Sequence, residues 1–291
     1  MQITAAMVKE LRERTGAGMM DCKKALQDAS GDTESAIEAM RKSGVVKAAK
    51  KAGRIAAEGN IVIKKDTSSR EIVLLEVNSE TDFVAKDENF KAFADNVAAC
   101  VLENHPDDIP ALMQMTMDSQ SVEEARQQLV AKLGENISVR RFNLLSSVGN
   151  LGNYLHGNRI GVVIELEGGD ENLAKDLAMH VAASRPVCVA EDEVPQEMLD
   201  KEKGIYIAQA AESGKPPEIV EKMVNGKLKK FLKEITLVGQ PFVKDPDQTV
   251  GKLLDSSSAS VKQFIRYELG EGLEKRSDNF AEEVMAQAQG D

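Results

Sequence analysis

The sequence has no tryptophan, three histidines and three cysteines, and only 4% of its residues are aromatic. Each scarcity removes a class of function. Cys22, Cys100 and Cys188 are odd in number, far apart and without a CxxC pair. That argues against a disulfide framework and a structural zinc site, and it fits a reducing compartment. His105, His156 and His180 are too scattered for a histidine-rich metal centre, so no metal and no cofactor is expected. With so few aromatics, a broad base-stacking surface is not expected either. No stretch approaches the ~18 uninterrupted apolar residues that a membrane helix needs. Met1-Gln2-Ile3-Thr4 lacks a basic region followed by an apolar run, so no secretory leader and a cytoplasmic location are expected.

What the chain does contain is length and uneven charge. Its 291 residues suggest two or three domains with room for a real core. The net charge is −11, which disfavours non-specific binding to nucleic acid. Residues 1–55 hold eleven Lys/Arg against seven Asp/Glu, and the rest of the chain holds 26 against 41. Arg41, Lys42, Lys47, Lys50, Lys51 and Arg54 cluster where the first module ends. They read as a solvated linker helix or as a nucleic-acid arm; the absence of interleaved aromatics favours the linker.

The pattern of apolar residues divides the chain. Residues 1–55 read as three short helices. Thr4 caps the first, the second runs from Asp21 to Ala29, and Asp32 caps a third that stops near Gly44. So small a bundle suits docking better than catalysis. Asn60–Lys64 and Arg70–Asn78 form a β-hairpin signal around Asp66-Thr67-Ser68-Ser69. A helix from about Asp82 to Glu103 follows, with Phe90, Phe93, Ala94, Val97 and Val101 on its core face, then a helix at 121–134 and a strand at 137–145. Ile160–Leu166 is a strand and Asn172–Ser184 a helix. Both halves read strand, acidic turn, helix, Val-Ala-Ala, which points to two related α+β subdomains.

Strand signals vanish between Pro195 and Ile235. Two helices, 196–212 and 218–234, flank Ser213-Gly214-Lys215-Pro216-Pro217 and form an antiparallel hairpin. Leu199, Ile205, Tyr206 and Ala210 are expected to face Ile219, Met223, Leu228 and Phe231. Because β character returns at 235–238 and 263–268, the hairpin reads as an insertion. An amphipathic helix near 278–289 ends the chain.

The sequence carries no signature of covalent chemistry. Gly16-Ala17-Gly18-Met19-Met20-Asp21-Cys22-Lys23-Lys24 resembles a phosphate loop only superficially, since position 21 is Asp where such a loop needs Gly. Gly251-Lys252 fails because position 246 is Pro. There is no HExxH, GxSxG or EF-hand loop. Three binding candidates remain. Adjacent Met19 and Met20 either cap the small bundle or expose an adaptable surface. Ser79–Lys86 sits at a strand-to-helix turn, where Asp82 can cap the helix and Phe83 is either core or exposed. Tyr154–Arg159 places His156 before a strand, as a surface group or a functional one.

Two long stretches carry a family resemblance. Leu11-Arg12-Glu13-Arg14-Thr15-Gly16-Ala17-Gly18-Met19-Met20-Asp21-Cys22-Lys23-Lys24-Ala25-Leu26 and Glu76-Val77-Asn78-Ser79-Glu80-Thr81-Asp82-Phe83-Val84-Ala85-Lys86 resemble the two signatures of the bacterial translation elongation factor Ts family. Similarity continues in order through His156–Val162, His180–Ser184, Ser213–Pro216, Gly239–Val243 and Phe264–Glu268. The resemblance implies an α+β protein: a UBA-like three-helix domain with linker helix (1–55), core subdomain N (56–145), core subdomain C (146–190 and 236–270), an inserted antiparallel helical hairpin (191–235) and a C-terminal helical module (271–291). It implies a guanine-nucleotide exchange factor, not an enzyme of covalent chemistry, whose partner is elongation factor Tu in its GDP-bound and nucleotide-free states. No direct nucleic-acid or membrane partner is expected, and a homodimer or 2:2 complex is left open.

By the same resemblance, Thr81, Asp82, Phe83 and Val84 would work beside the partner's Mg²⁺ site, with Phe83 as a wedge. His156 would press near its phosphate loop. Arg12, Met19, Met20, Leu133, Gly134 and Val243 would dock. Lys244 stands where some relatives carry Met. The competing classes are an RNA- or ribosome-binding adaptor using Arg41–Arg54, and a peptide-binding scaffold using the hairpin.

Overall fold

The computed structural model describes residues 3–15, 17–211 and 216–274. The chain divides into two compact units. The first comprises Met1–Val62, Leu75–Phe142 and Leu269–Asp291; the second comprises Ile63–Leu74 and Asn143–Glu268.

The first unit begins with helices α1 (Ala5–Thr15), α2 (Met19–Asp28) and α3 (Thr33–Lys51). The Met7 N–H donates to Thr4 Oγ1 at 3.3 Å, and the Ser35 N–H donates to the Asp32 carboxylate at 2.7 Å, so both expected caps are present. Val8, Leu11, Cys22, Ala25, Leu26 and Ala36 form the small core between the three helices. Two boundaries differ from the sequence expectation. Helix α2 starts at Met19 rather than Asp21, with Gly18 as its N-cap. Helix α3 does not stop near Gly44 but runs through it to Lys51. A mid-helix glycine costs about 1 kcal/mol relative to alanine, and packing offsets this. Gly44 and Ala48 are buried where α3 packs on α7 (Val122–Leu133), and a Cβ at Gly44 would lie 3.8 Å from that of Ala131.

Strands β1 (Glu58–Lys65), β2 (Glu71–Ser79) and β5 (Ile137–Ser146) form one sheet in the order β1-β2-β5. Residues 58–62, 75–79 and 137–142 of these strands belong to the first unit. The β1–β2 turn falls where expected, with Asp66 accepting the N–H groups of Ser68 (3.0 Å) and Glu71 (2.8 Å). Strand β2 is buried continuously from Ile72 to Ser79, the mark of a strand covered on both faces.

The single helix expected over 82–103 is two. A one-turn α4 (Asp82–Ala85) precedes α5 (Glu88–Asn104), because the Asp87 side chain accepts the Asn89 and Phe90 N–H groups and starts a new helix. Phe90, Phe93, Ala94, Val97 and Val101 of α5 are all buried, as their spacing required. A short α6 (Ile109–Gln114) and a hairpin of β3 (Thr116–Met117) and β4 (Gln120–Ser121) were not foreseen. They lead into α7, which opens on a Ser121–Glu124 capping box.

The second unit holds an antiparallel sheet of β6 (Asn150–His156), β7 (Ile160–Glu167) and β10 (Ser260–Glu268), ordered β10-β7-β6. Helix α8 (Glu171–Ser184) covers it, and Val162, Ile164, Leu166, Ala174, Leu177, Ala178 and Val181 form the core. Gly152 permits the close approach of β6 and α8, since a Cβ there would fall 2.5 Å from the Ala174 carbonyl. The helical hairpin is present as α9 (Gln196–Ala211) and α10 (Pro217–Ile235), with Pro217 in the first turn of α10. Its seam differs from expectation. Ala210 and Val224 are buried and Met223, Leu228 and Phe231 half-buried, whereas Ile205 and Ile219 are exposed.

Residues 235–238 form no strand; only an isolated bridge joins Thr236 to Cys188. The chain instead forms β8 (Pro241–Phe242), β9 (Asp245–Thr249) and α11 (Val250–Ser256) before β10. The expected helix over 278–289 and residues 213–215 of the hairpin turn lie outside the described residues.

Candidate functional site

Phe83 sits on α4 with 80% of its surface exposed, so it is not a core residue. The turn that carries it is tied down at its start. Thr81, not Asp82, is the N-cap: its Oγ1 accepts the Val84 N–H at 3.4 Å. The same hydroxyl donates to the Glu135 carboxylate at 2.6 Å, and the Thr81 N–H donates to the other Glu135 oxygen at 3.0 Å. Asp82 is the first residue of the turn and pairs with Lys86 at 2.6 Å. That ammonium, hydrogen-bonded to Asp82, holds the Asp82 carboxyl below the usual aspartate range. The Lys86 ammonium also lies 5.9 Å from the Phe83 ring centroid. Val84 is half-buried and Ala85 buried, so the turn rests on one side and presents Phe83 on the other.

Leu133 and Gly134 end α7 in the neighbouring loop. Leu133 is half-buried; Gly134 is exposed, with φ +80, a left-handed C-cap that glycine adopts without strain. The Lys51 ammonium donates to the Gly134 carbonyl. The Asn136 N–H donates to Glu80 at 2.6 Å, and the Asn136 side chain donates to the Arg54 carbonyl at 2.8 Å. Lys51 at the end of α3 and Arg54 just beyond it thus brace the two loops, with the Arg54 guanidinium also 3.5 Å from Glu80.

Met19 and Met20 are 60% and 75% exposed in the first turn of α2, so neither caps the bundle. Arg12 is exposed on α1. Gly18 and Asp21, which flank the two methionines, line a cleft of about 480 Å³ together with Ala131 and Lys132 of α7.

In the second unit, His156 is not on a loop before a strand but is the last residue of β6. Strand β6 was missed because its sequence, NLGNYLH, is polar and interrupted by Gly152. His156 is exposed, stacked against Tyr154 with centroids 6.2 Å apart, and its Nδ1 lies 3.3 Å from the Tyr154 hydroxyl. Val243 follows β8 and is 42% exposed. Its N–H donates to Nδ1 of the buried His180 at 3.2 Å. The His180 Nε2 must then carry the proton and donate to the Gln240 side-chain Oε1 at 3.0 Å. Burial keeps His180 below the usual histidine pKa, with the Gln240 bond opposing it. Lys244 pairs with Asp176 at 2.6 Å.

Among the described residues, no group of three or more His, Cys, Asp or Glu side chains is placed to hold a metal ion. No described helix is long and apolar enough to cross a membrane. Met19, Met20, Phe83, His156 and Val243 present exposed apolar or aromatic side chains, suited to burial against another surface.

The family model described as Elongation factor TS matches residues 80–271. The chain is 66% identical over 292 residues to Elongation factor Ts of Thioalkalivibrio sulfidiphilus, covering 100% of both chains. It is 61% identical to the protein of the same name from Alkalilimnicola ehrlichii, again over 100% of both, and 57% identical to that of Halorhodospira halophila, over 99% of both. The chain belongs to the elongation factor Ts family. The part that the elongation factor Ts model matches begins at Glu80 and takes in Thr81–Val84, Leu133, Gly134, His156 and Val243. Arg12, Met19 and Met20 precede it and fall within the full-length similarity to the elongation factor Ts relatives. Glu80, Glu135, Asn136 and His180 also brace these positions, roles that the sequence analysis did not assign them. Their partners lie on other elements, and no local spacing signals such a partnership.

Proposed function

We propose that this protein is the guanine-nucleotide exchange factor of the GTPase elongation factor Tu. It binds the GDP-bound partner, disturbs the Mg²⁺ and phosphate site, releases GDP and holds the nucleotide-free state until GTP enters. The observation that carries this reading is Phe83, exposed on a capped turn within the family-matched region. Leaving a phenylalanine in water forgoes about 1.5–3 kcal/mol of burial, which becomes available when a partner covers it.

The mechanism requires no covalent step by this chain. Its surface must fit the nucleotide-free partner better than the GDP-bound one, and each tenfold of preference needs about 1.4 kcal/mol of differential contact. Thr81, Asp82, Phe83 and Val84 act at the Mg²⁺ side, with Phe83 as the wedge. His156 acts at the phosphate-loop side. Arg12, Met19, Met20, Leu133, Gly134 and Val243 dock. The three-helix module serves as a UBA-like docking domain beside two α+β core subdomains, and the protein works in the cytoplasm.

Linkage supplies the test. GDP must weaken this protein's affinity for elongation factor Tu by the same factor by which this protein weakens GDP. Calorimetric titration of nucleotide-free and GDP-saturated partner is expected to give affinities that differ by that shared factor. Equal affinities would contradict the reading.

A further inference from the structure

Helix α4 is a single turn of four residues, too short to be stable by its own hydrogen bonds. Its anchorage comes from a reciprocal exchange between two loops of the first unit. Glu135 accepts both the N–H and the hydroxyl of Thr81, and Glu80 accepts the N–H of Asn136. Each loop therefore supplies the carboxylate that satisfies a backbone donor of the other. Through the Thr81 hydroxyl, Glu135 also reaches the Val84 N–H inside the turn.

Phe83, with most of its ring in solvent, adds little to the core. The order of α4 therefore matters chiefly for what the turn presents. A wedge on a loose turn must be ordered during binding, and that cost is subtracted from the affinity it delivers.

We propose that Glu135 is a positioning residue for nucleotide exchange: by holding Thr81 it locks the turn that carries Phe83 and Val84 onto the loop that carries Leu133 and Gly134. This rests on the exchange reading for its function, but not for its geometry, and the two can be tested apart.

The experiment uses the full chain and four variants, Glu135→Ala, Glu135→Gln, Phe83→Ala, and Glu135→Ala with Phe83→Ala. Amide hydrogen exchange of the free protein needs no partner. In Glu135→Ala the amides of Ala85, Lys86 and Asp87, which close the turn, are expected to exchange about tenfold faster, while those of α5 and β2 keep wild-type protection. Unchanged protection at the turn, or loss of protection throughout the unit, would overturn the positioning role.

GDP release from elongation factor Tu is the second readout. Glu135→Ala is expected to slow stimulated release about tenfold, and to add less than about twofold once Phe83 is already alanine. Glu135→Gln keeps an acceptor for the Thr81 N–H and a donor for its hydroxyl, so it is expected to stay within about threefold of wild type. Multiplicative effects of Glu135→Ala and Phe83→Ala, or a Gln variant as poor as Ala, would overturn it. If wild type itself does not stimulate release, the exchange reading fails, and the hydrogen-exchange result still decides the geometry.

Discussion

Phe83 and His156 are both exposed but held differently, and this sets what their removal should do. Phe83 projects from a turn fixed by Thr81 and Glu135, with Lys86 over its ring. Its loss removes exposed aromatic surface without opening a cavity. Phe83→Ala is expected to slow stimulated GDP release about 30-fold or more, the size of an interface anchor worth at least about 2 kcal/mol. Its melting temperature should stay within about 2 °C of wild type, as for other surface substitutions. His156 lies at a strand end against Tyr154, and His156→Ala is expected to give a smaller fall with equally normal folding. Stopped-flow release and calorimetry on the same preparations check both. A large melting-temperature loss in step with lost exchange would return Phe83 to a structural role. Sequence alone left Phe83 between core and surface, because its seven-residue separation from Phe90 fits one helical face. The break at Asp87 removes that phase relation.

At the scale of elements, Glu76 on β2 ties β2 to β5 and to the segment at Gly270 within the first unit. It is fully buried and accepts from Arg140 (2.9 Å) and Arg141 (2.6 Å) on β5, from the Gly270 N–H (2.8 Å) and from Asn78 (3.1 Å). Burial alone would raise its pKa, but the bonds from Gly270, Asn78, Arg141 and Arg140 together outweigh burial and hold it below the usual glutamate value. A carboxyl depressed in the native state binds fewer protons there than in the unfolded chain. Its contribution is therefore complete above the unfolded value, about pH 4.3, and is lost as pH falls through the lower native one. Glu76→Gln is expected to destabilise the protein by about 3 kcal/mol at pH 7, because two arginines lose a buried partner. The gap to wild type should narrow below about pH 4 in urea titrations across pH. A gap that stays constant down to pH 3 would contradict this role.

The elements themselves were legible where local chemistry decides them. The caps at Thr4 and Asp32, the β1–β2 turn, the buried stripe of α5 and the two hairpin helices all follow from nearby residues. The misses have non-local causes. Glycine at position 44 is tolerated because α7 covers it, β6 buries only Leu151 and Gly152 and leaves Leu155 and His156 exposed, and the hairpin buries Ala210 and Val224 while Ile205 and Ile219 stay exposed. Arg12, Met19, Met20, Phe83, His156 and Val243 were named from the sequence, and all six are exposed. The bracing roles of Glu80, Glu135 and His180 were illegible, because the pairs they form are far apart in the chain: 56 positions for Glu80–Asn136, 54 for Thr81–Glu135 and 63 for His180–Val243.

On the scale of the whole molecule, the −11 net charge conceals a basic N-terminal segment and an acidic remainder. Part of that basic segment is spent internally, since Lys51 and Arg54 brace the loops around Gly134 and Glu80. This weakens the case for a nucleic-acid arm and suits a protein-binding surface. Each of the two units presents its own exposed apolar or aromatic candidates: Met19, Met20 and Phe83 in the first, His156 and Val243 in the second. An exchange factor that grips a GTPase at several places has use for both. The most direct measurement is release of a fluorescent GDP analogue from purified elongation factor Tu, followed with and without this protein at micromolar concentration. The account predicts that release accelerates with added protein and saturates; release at the unassisted rate across that range would contradict it.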